Sequence, residues 1–251
     1  MRFDPDKATA IAVGIRETYD NQTVDYHTHQ RAQLMFARQG LMNVKTQEGL
    51  WMLPPTRALF LPGKISHALQ CMGTVKLATI YISSDVTDIQ SWQTSRVINV
   101  SPLMREVILR LVDAPWDYDE SAKENRLTHV LLDEIELEPG LPYYLPEPSD
   151  PRAKRFCAHM RDNINDRRRI TAISQSLGTT ARTLERCFKR DVGMSVGSWV
   201  QQLRLLVAVQ HITLGNSVSD IAFELGYSNP SSFIAAFRAA FNTSPGKFVG
   251  S

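Results

Sequence analysis

The last hundred residues of this 251-residue chain contain one sequence pattern twice. The first copy begins with Ile173–Gly178 and the second with Ile221–Gly226, and both of these runs end in Leu-Gly. Each copy continues into an amphipathic run that closes with Phe188-Lys189 in the first and Phe237-Arg238 in the second. The copies are offset by 48 residues before the turn and by 49 residues after it. A repeat of this period indicates a duplicated supersecondary unit.

Both copies carry the signals of a helix, a tight turn and a second helix. A small residue, Ser174 or Ala222, lies inside the first helix, where another helix can cross closely. Four residues later Gly178 or Gly226 ends that helix, because glycine adopts the left-handed conformation without a side-chain clash. Each copy therefore predicts a helix-turn-helix unit.

The second helix of each unit is predicted to begin at a polar cap, which is Thr180 in the first unit and Asn229, followed by Pro230, in the second. Apolar residues at helical spacing define the inner faces: Leu184, Phe188, Phe233 and Phe237. Basic residues define the outer face in the first unit: Arg182, Arg186, Lys189 and Arg190. A helix of this kind enters a DNA major groove with its N-terminal end first.

With these motifs, the segment from about residue 152 to 249 resembles the two-unit DNA-binding domain of the AraC/XylS family of transcription regulators. The matching residues in the first unit are Gly178, Thr183-Leu184, Arg186, Phe188-Lys189 and Gly193-Met194-Ser195. Those in the second are Asp220-Ile221-Ala222, Leu225-Gly226-Tyr227, Pro230-Ser231-Ser232-Phe233, Phe237-Arg238 and Ser244-Pro245. The resemblance implies two recognition helices in successive major grooves, joined by a long helix that would run here from about Ser195 to Leu214.

The resemblance also implies which residues contact DNA. Arg182 and Arg186 lie one turn apart on the outward face, and each would bond guanine or contact phosphate. Glu185 would accept a hydrogen bond from cytosine or orient an arginine, and Thr180 would cap the helix or contact phosphate. The other predicted contacts are Lys189, Ser231, Ser232 and Arg238. Because Ala235 stands where the family often carries an arginine, the second helix is expected to make phosphate, shape and methyl contacts.

The chain has a net charge of +2, which is distributed unevenly between its two halves. Residues 1–149 contain 14 Lys/Arg and 19 Asp/Glu, a net charge of −5, whereas residues 150–251 contain 14 and 7, a net charge of +7. Residues 152–193 contain 11 basic and 4 acidic residues, against 2 of each in 215–251. This pattern is typical of a sensor joined to a nucleic-acid-binding module, and it assigns most of the phosphate attraction to the first unit.

Residues 23–83 consist of short β-type runs separated by turn residues. The predicted strands are Thr23–Thr28, Gln33–Arg38, Leu41–Thr46, Leu50–Leu53, Ala58–Leu61, Ala68–Cys71 and Val75–Ile82. They predict an antiparallel β-barrel of the cupin or jelly-roll type, preceded by a helix or loose arm at Asp4–Tyr19. The expected fold class is therefore α+β in two domains, with a barrel and helix pair first and an all-α double helix-turn-helix domain second.

Two short motifs lie within the predicted strands. His27-Thr28-His29 is followed by Gln33 and Gly40, and Pro62-Gly63 is followed by His67. They resemble the cupin motifs H-x-H-x(3)-E-x(6)-G and P-x-G-x(2)-H, with Gln33 at the usual carboxylate position and Pro directly before Gly. In metal-binding cupins the residues matching His27, His29, Gln33 and His67 are ligands, and this set would suit a borderline divalent metal. In the alternative, the barrel holds no metal, and the same residues line an effector pocket or are only the remnant of an ancestral site.

Residues 102–137 have helical periodicity with a break at Ala114–Asp117, which predicts a helix pair that packs on the barrel, on a second subunit, or on both. The family commonly dimerises through this region, so a homodimer is expected. Leu141–Pro151 has four prolines in eleven residues and predicts an extended linker. The expected domains are residues 1–140 for effector binding and dimerisation, 141–151 for the linker and 152–251 for DNA binding.

The remaining composition predicts a cytoplasmic protein. Its three cysteines form no C-x-x-C pair and are expected to be reduced and buried, and the chain has neither a signal peptide nor an apolar run of membrane-spanning length. Four large aromatic residues are expected in the core rather than in a pocket: Tyr26, Trp51, Tyr81 and Trp92.

These features predict a sequence-specific transcription regulator, not an enzyme, that responds to a small molecule bound in the barrel. Its expected partners are double-stranded promoter DNA, the effector and RNA polymerase. A metal-dependent cupin enzyme is one alternative, which Gln33 and the lack of a nucleophile or general-base constellation disfavour. A DNA-binding protein that senses no ligand is the other. The sequence leaves open whether the protein is an activator or a repressor.

Overall fold

The computed structural model describes residues 4–87, 92–119, 121–138 and 140–248. The chain divides into two compact units, one ending at Tyr144 and the other starting at Leu145, with Glu48–Leu50 assigned to the second. The outer ends of the predicted domains, residues 1–3 and 249–251, lie outside the described residues. The predicted linker limits, residues 141 and 151, stay a prediction.

The first half of the chain forms an antiparallel β-sheet followed by two helices. In chain order its elements are the 3₁₀ turn Pro5–Lys7, β1 Ala12–Asp20, β2 Thr23–His27, β3 Ala32–Thr46, β4 Gly49–Leu53, β5 Arg57–Leu61, β6 His67–Ile82, α1 Ser84–Thr87, β7 Arg96–Asn99, α2 Pro102–Leu111, α3 Lys123–Leu137 and β8 Tyr144–Pro146. The antiparallel sheet and the helix pair agree with the predicted fold class.

Strands β3 and β6 organise the sheet. They pair with each other from Ala32 opposite Ile82 to Thr46 opposite His67. The second half of β6 also pairs with β1, and its first half pairs with β2. Strand β5 pairs with β3 and β7. Within the β2–β6 pair, His27 lies opposite His67, so the register alone brings two of the predicted site residues together.

The sheet corrects three of the predictions for this half of the chain. Ala12–Asp20 is a strand paired with β6 and not a helix or a loose arm. The predicted turn at Gln39-Gly40 is a register shift inside β3, where Gly40 has a φ of 80°. Ala68–Cys71 and Val75–Ile82 are parts of one strand, β6. In each case pairing with a distant strand outweighs the local sequence signal.

Helices α2 and α3 pack on the sheet, as one of the predicted arrangements requires. Sheet and helix residues form one core, which includes Leu34, Phe60, Ile80, Met104, Ile108, Leu111, Leu131 and Ile135. Because the buried stripe of α2 runs through Met104 and Ile108, Leu103 is 53% exposed. Tyr26 was expected in the core but is 59% exposed, since β2 pairs with β6 on one side only in the described part of the sheet.

The second unit is helical after β8. Its helices are α4 Pro151–Asp162, α5 Ile170–Ser176, α6 Ala181–Val192, α7 Val196–Thr213, α8 Val218–Glu224, α9 Pro230–Phe241 and α10 Pro245–Phe248. Helix α7 is the long connecting helix predicted between Ser195 and Leu214, and these two residues are its caps. Because α7 packs against α6, α8, α9 and α10, it buries more than one face. None of the described helices combines the length and hydrophobicity that crossing a membrane requires.

Candidate nucleic-acid interface and metal centre

The two predicted helix-turn-helix units have helices of equal length, and the turn of the second unit is one residue longer. Helices α5 and α8 have seven residues each, and α6 and α9 have twelve each. Gly178 and Gly226 have φ values of 70° and 81°, the left-handed conformation that the sequence predicts after each first helix. Ser174 and Ala222 are fully buried, as expected at a close helix crossing. The prediction of two helix-turn-helix units is confirmed, and α6 and α9 are named the recognition helices below.

Each recognition helix begins at its predicted cap. The Thr180 hydroxyl accepts a hydrogen bond from the Thr183 amide at 3.1 Å, and the Asn229 side-chain carbonyl accepts one from the Ser232 amide at 2.9 Å. These bonds satisfy one of the amide groups that a helix start leaves unpaired. Thr180 therefore has the capping role, which was one of the two roles that the sequence allowed.

The inner faces of the recognition helices are fully buried, as predicted. In α6, the Phe188 ring packs edge-on against Phe156 and Trp199, with centroids 5.9 and 5.7 Å away. In α9, the Phe237 ring packs against Phe233 at 5.7 Å, and against Phe241 and Phe248 at 4.7 and 5.5 Å. Because packing fixes the rotation of each helix about its axis, it also determines which residues face outward.

Arg182 and Arg186 lie on the outward, exposed face of α6, one turn apart. Within the described residues, neither guanidinium group has a hydrogen bond or an ion pair. Arg190 differs, because its Nε lies 2.6 Å from Asp191 Oδ1 and its guanidinium lies 3.5 Å from Asp150 Oδ2. The outward face of α6 therefore presents two arginine side chains that are ready to bind an external acceptor.

Glu185 has a contact that the sequence did not predict. Its carboxylate accepts a hydrogen bond from the Val196 amide at 3.2 Å, at the first residue of α7. A carboxylate is favourable at this position because the helix N-terminus carries a partial positive charge. The signal was present in the sequence, since Ser195 marks a helix start.

The outward face of α9 is chemically different. Ser231, Ala235 and Arg238 are exposed. The Ser232 hydroxyl is only partly exposed and donates a hydrogen bond to the Asn229 carbonyl at 2.8 Å. Among the predicted contact residues of this helix, Arg238 is therefore the one that carries a positive charge.

The basic run before α5 has mixed roles. Arg167 donates to the Tyr227 carbonyl at 3.2 Å, and Arg168 forms an ion pair with Asp166 at 2.7 Å. Arg168, with His159 as a further partner, holds the pKa of the Asp166 carboxyl well below its usual range. Arg169 is exposed and, in the described chain, its side chain has no partner. Of the three, Arg169 is thus the most available to a phosphate group.

Arg204 on α7 bonds the segment between α4 and α5 and lies close to the turn of the second helix-turn-helix unit. It donates hydrogen bonds to the Ile164 and Asp166 carbonyls at 3.2 and 3.1 Å. A Cβ atom built on Gly226 would lie 3.1 Å from the Arg204 guanidinium. Sequence reasoning missed this residue, since an arginine inside a long amphipathic helix is usually solvated.

Three of the four residues predicted for the barrel site meet in the first unit. His27, His29 and His67 each offer one ring nitrogen, and these three atoms lie within 4.8 Å of one another. The His27 and His67 ring centroids are 4.3 Å apart, and those of His27 and His29 are 5.1 Å apart. His67 is 1% exposed, while His27 and His29 are half-buried.

Backbone carbonyls orient two of the three rings. His27 Nδ1 lies 2.8 Å from the Asp25 carbonyl oxygen, and His67 Nδ1 lies 2.9 Å from that of Ile65. Because a carbonyl oxygen only accepts, Nδ1 donates in both rings and Nε2 keeps its lone pair when the ring is neutral. The Nε2 atoms of His29 and His67 are buried and have no hydrogen-bond partner.

Burial also favours the neutral form of His29 and His67. It lowers the pKa of His67 to about 4, and together with the neighbouring His27 it lowers the pKa of His29. Gln33 is buried at 4% exposure and forms a hydrogen bond with Tyr81, whose ring lies 5.0 Å from His29. The structure thus connects Gln33 to the histidines through Tyr81. Three imidazole nitrogens within 4.8 Å of one another, two of them buried without a partner, fit a divalent transition metal.

Comparison with known proteins identifies relatives of both halves. A family model described as AraC-like ligand binding domain matches residues 11–132, and one described as helix-turn-helix domain matches residues 173–250. The HTH-type transcriptional regulator NimR of Escherichia coli (strain K12) is 28% identical over 249 residues, which are 98% of this chain and 90% of NimR. The HTH-type transcriptional activator RhaS of Escherichia coli (strain SE11) is 32% identical over 101 residues, which are 39% of this chain and 36% of RhaS.

Among solved structures, ToxT from Vibrio cholerae is similar over 96% of this chain and 98% of its own, with 12% identity and a TM-score of 0.41. The histidine cluster lies inside the first range matched by a family model, and both recognition helices lie inside the second.

Proposed function

Because the chain belongs to the AraC family of transcription regulators, we propose that it binds promoter DNA with two unequal units and changes its DNA affinity when an effector binds in the N-terminal unit. In this proposal α6 reads bases and α9 holds the DNA backbone. One observation carries it: Arg182 and Arg186 are exposed and unpaired on α6, within the described residues, whereas α9 has Ser231 and Ala235 at the matching positions.

The chemistry of arginine supports base reading by α6. A guanidinium group donates two parallel hydrogen bonds to O6 and N7 of guanine, and such a pair contributes about 1–3 kcal/mol of discrimination. Arg182 and Arg186 need not leave another partner before they bind DNA, since the described residues offer them none. Lys189 follows on the same helix and is proposed to contact phosphate. Thr180, as the cap of α6, is proposed to lie next to the backbone.

The second recognition helix is proposed to hold the duplex without reading it through hydrogen bonds. Ser231 and Ser232 supply hydroxyl groups near the start of α9, and Arg238 supplies a cation. Ala235 and its neighbour Ile234 offer only apolar contact, which suits the methyl group of thymine. Phosphate contacts fix the register of a protein on DNA but carry no sequence information.

The effector site of the proposal is formed by His27, His29, Gln33 and His67. The first family model, described as AraC-like ligand binding domain, covers all four residues. The proposed role of this site is regulatory and not catalytic, because Gln33 supplies no carboxylate for acid–base chemistry and the relatives are named as transcription regulators. An effector regulates DNA binding only if it binds the two states of the protein with different affinity.

Homodimerisation through α2 and α3 is also part of the proposal. Leu103 on α2 is 53% exposed beside the core that these helices form with the sheet. A large exposed apolar side chain on such a helix pair is consistent with a two-fold interface. Contact with RNA polymerase is proposed because the relative RhaS is named a transcriptional activator. A protein with these partners would function in the cytoplasm.

The proposal is tested with the full-length protein and the DNA upstream of its own gene. Arg182→Ala and Arg186→Ala are each expected to weaken binding to this DNA by about 5–150-fold, the equivalent of 1–3 kcal/mol, at fixed salt. Binding to an unrelated duplex is expected to weaken much less. Competition between the two duplexes during a salt titration measures both affinities.

Arg155→Ala is the matched control, because Arg155 is an exposed arginine on α4 of the same unit. The substitution removes the same charge without changing a recognition helix. It is therefore expected to weaken binding to both duplexes slightly and to the same extent. If Arg182→Ala and Arg186→Ala reduced the two affinities equally, as Arg155→Ala does, base reading by α6 would be wrong.

A further inference from the structure

We propose that His27, His29 and His67 bind one divalent transition-metal ion, and that occupancy of this site changes the affinity of the protein for DNA. The first part concerns the N-terminal unit alone. The second part rests on the DNA-binding function proposed above. The strand register, the ring orientations and the charges around the site carry the proposal.

The sheet holds two of the three histidines together by backbone pairing. His27 is the last residue of β2 and His67 the first residue of β6, and they are paired across the two strands. His29 follows two residues after His27, and its ring centroid is 5.1 Å from that of His27. The site is therefore anchored in the sheet through His27 and His67, while His29 lies in the loop directly after β2.

The distances among the ring nitrogens are close to those around a metal ion. Zinc binds imidazole nitrogen at about 2.0–2.1 Å, so the ligands of a tetrahedral site are about 3.4 Å apart. In this structure the three candidate atoms lie within 4.8 Å of one another. Closing the site thus requires a movement of about an ångström, which small side-chain rotations supply.

The hydrogen bonds of the rings leave the correct nitrogen free. His27 and His67 donate through Nδ1 to the carbonyls of Asp25 and Ile65, which is the arrangement that orients histidine ligands in metal sites. Their Nε2 atoms then keep a lone pair. For His67, as for His29, Nε2 is buried without a partner. Leaving two such atoms unsatisfied is unfavourable, and one ion satisfies both.

The ligand set indicates the class of metal. Three neutral imidazole groups suit zinc, nickel, cobalt or copper, whereas magnesium and calcium require oxygen ligands. In the part of the chain that the structure describes, the group contains neither a carboxylate nor a thiol. Asp4 and Asp6 act on His29 through their charge and so favour a cation nearby. Asp6 is itself engaged by the Gln30 and Arg31 amides.

Gln33 has a supporting role in this proposal. It hydrogen-bonds Tyr81, and the Tyr81 ring contacts His29 edge-on at 5.0 Å. Gln33 therefore acts on the position of His29 and is not required as a ligand. A metal-binding experiment can therefore distinguish Gln33 from the three histidines, because substitution of a ligand is expected to weaken binding more than substitution of Gln33.

The first experiment measures metal binding to the full-length protein after treatment with a chelator. Zn²⁺ affinity is measured by competition with a chromogenic chelator, and bound Co²⁺ is followed by its visible absorption. We expect one ion per chain. His29→Ala and His67→Ala are expected to weaken binding by more than about 100-fold, because loss of even an outer partner costs about 10–100-fold. Gln33→Leu is expected to weaken it by about tenfold or less.

His129→Ala is the control, since His129 is an exposed histidine on α3 of the same unit. It is expected to leave affinity and stoichiometry unchanged. Because His67 is buried, circular dichroism of each metal-free variant shows whether it is folded, and the half-exposed His29 provides an independent variant. Equal binding by the wild type and His29→Ala, or no binding by the wild type, would overturn the proposed site.

The second experiment compares DNA affinity with and without buffered Zn²⁺. The wild type is expected to change its affinity for the DNA upstream of its gene by about 5–150-fold, the usual range of coupling between two sites. His29→Ala is expected to show no change. If metal binds but the DNA affinity stays the same, regulation by the metal is wrong while DNA reading stands. If metal binds and neither state prefers this DNA over an unrelated duplex, the DNA-binding proposal fails while the metal site stands.

Discussion

The two helix-turn-helix units share their helix lengths and differ in one turn residue and in the surface that they present to DNA. Their helices have equal lengths, and both turns contain a glycine in the left-handed conformation. Gly193 and Asn242, which also have positive φ, end the two recognition helices at equivalent positions. On the outward faces, however, Arg182 and Arg186 correspond to Ser231 and Ala235. The comparison teaches that packing constrains the inner face of a duplicated unit and leaves the outer face free to diverge.

This difference between the outward faces shows that placing a helix on DNA and reading bases with it depend on different residues. A second unit with helices of equal length can lie on DNA in a similar way to the first, because caps and core determine where its helix lies. It cannot read the same bases, since serine and alanine lack the paired donors of arginine. The net charge follows the same division, at +7 in residues 152–193 (11 basic and 4 acidic) and 0 in residues 215–251 (2 of each).

The largest effect is expected at the buried inner faces, which the two helix-turn-helix units share. Phe188→Ala and Phe237→Ala each remove a fully buried ring and are expected to cost about 3–5 kcal/mol of unfolding free energy. Urea denaturation of both variants provides the measurement. Phe223→Ala is the control, because that ring is 51% exposed, and its cost is expected to stay within about 0.5 kcal/mol. A large difference between Phe188→Ala and Phe237→Ala would show that the two cores are not equivalent.

A smaller effect is expected at the caps. Thr180→Ala and Asn229→Ala each remove the acceptor for the first-turn amide of a recognition helix and are expected to cost about 0.5–2 kcal/mol. Thr180→Ser and Asn229→Ser keep a capping hydroxyl and are expected to retain most of the stability. Thermal unfolding of the four variants measures these changes. If only one of the two alanine variants lost stability, the two caps would not contribute equally.

The smallest expected effect concerns the divergent face. Ala235→Arg gives α9 the arginine that α6 has at Arg186. One added phosphate contact is expected to steepen the dependence of log affinity on log salt by about 0.9. A selection from random duplexes is expected to show at most a weak added preference for guanine, because Ser231 still lacks the paired donors that Arg182 supplies in α6. A strong new base preference would show that one arginine is enough for α9 to read bases.

The helical half could be predicted from the sequence almost to the residue. Its signals are local: Gly178 and Gly226 end helices, Thr180 and Asn229 begin them, and the period of the apolar residues gives the inner faces. Local signals also missed contacts. Glu185 bonds the start of α7, and Arg204 bonds the segment between α4 and α5, because a side chain finds such partners only after the helices have packed.

The sheet was harder to predict for the same reason. Ala12–Asp20 forms a strand because β6 pairs with it over its whole length, and no local pattern announces that partner. The reverse error occurred at Gln39-Gly40, where a turn signal stands inside a continuous strand. Strand pairing joins residues that are distant in sequence, so the stabilisation that it provides cannot be inferred from neighbouring residues alone.

The sequence by itself determined the repeat, the positions of the caps and turns, and the candidate histidines. Only the tertiary structure decided which of these residues meet. The β2–β6 register places His27 opposite His67, and Tyr81 lies between Gln33 and His29. Local conformation depends on neighbouring residues and can be inferred from sequence, whereas a site depends on distances between elements, which packing and strand register determine.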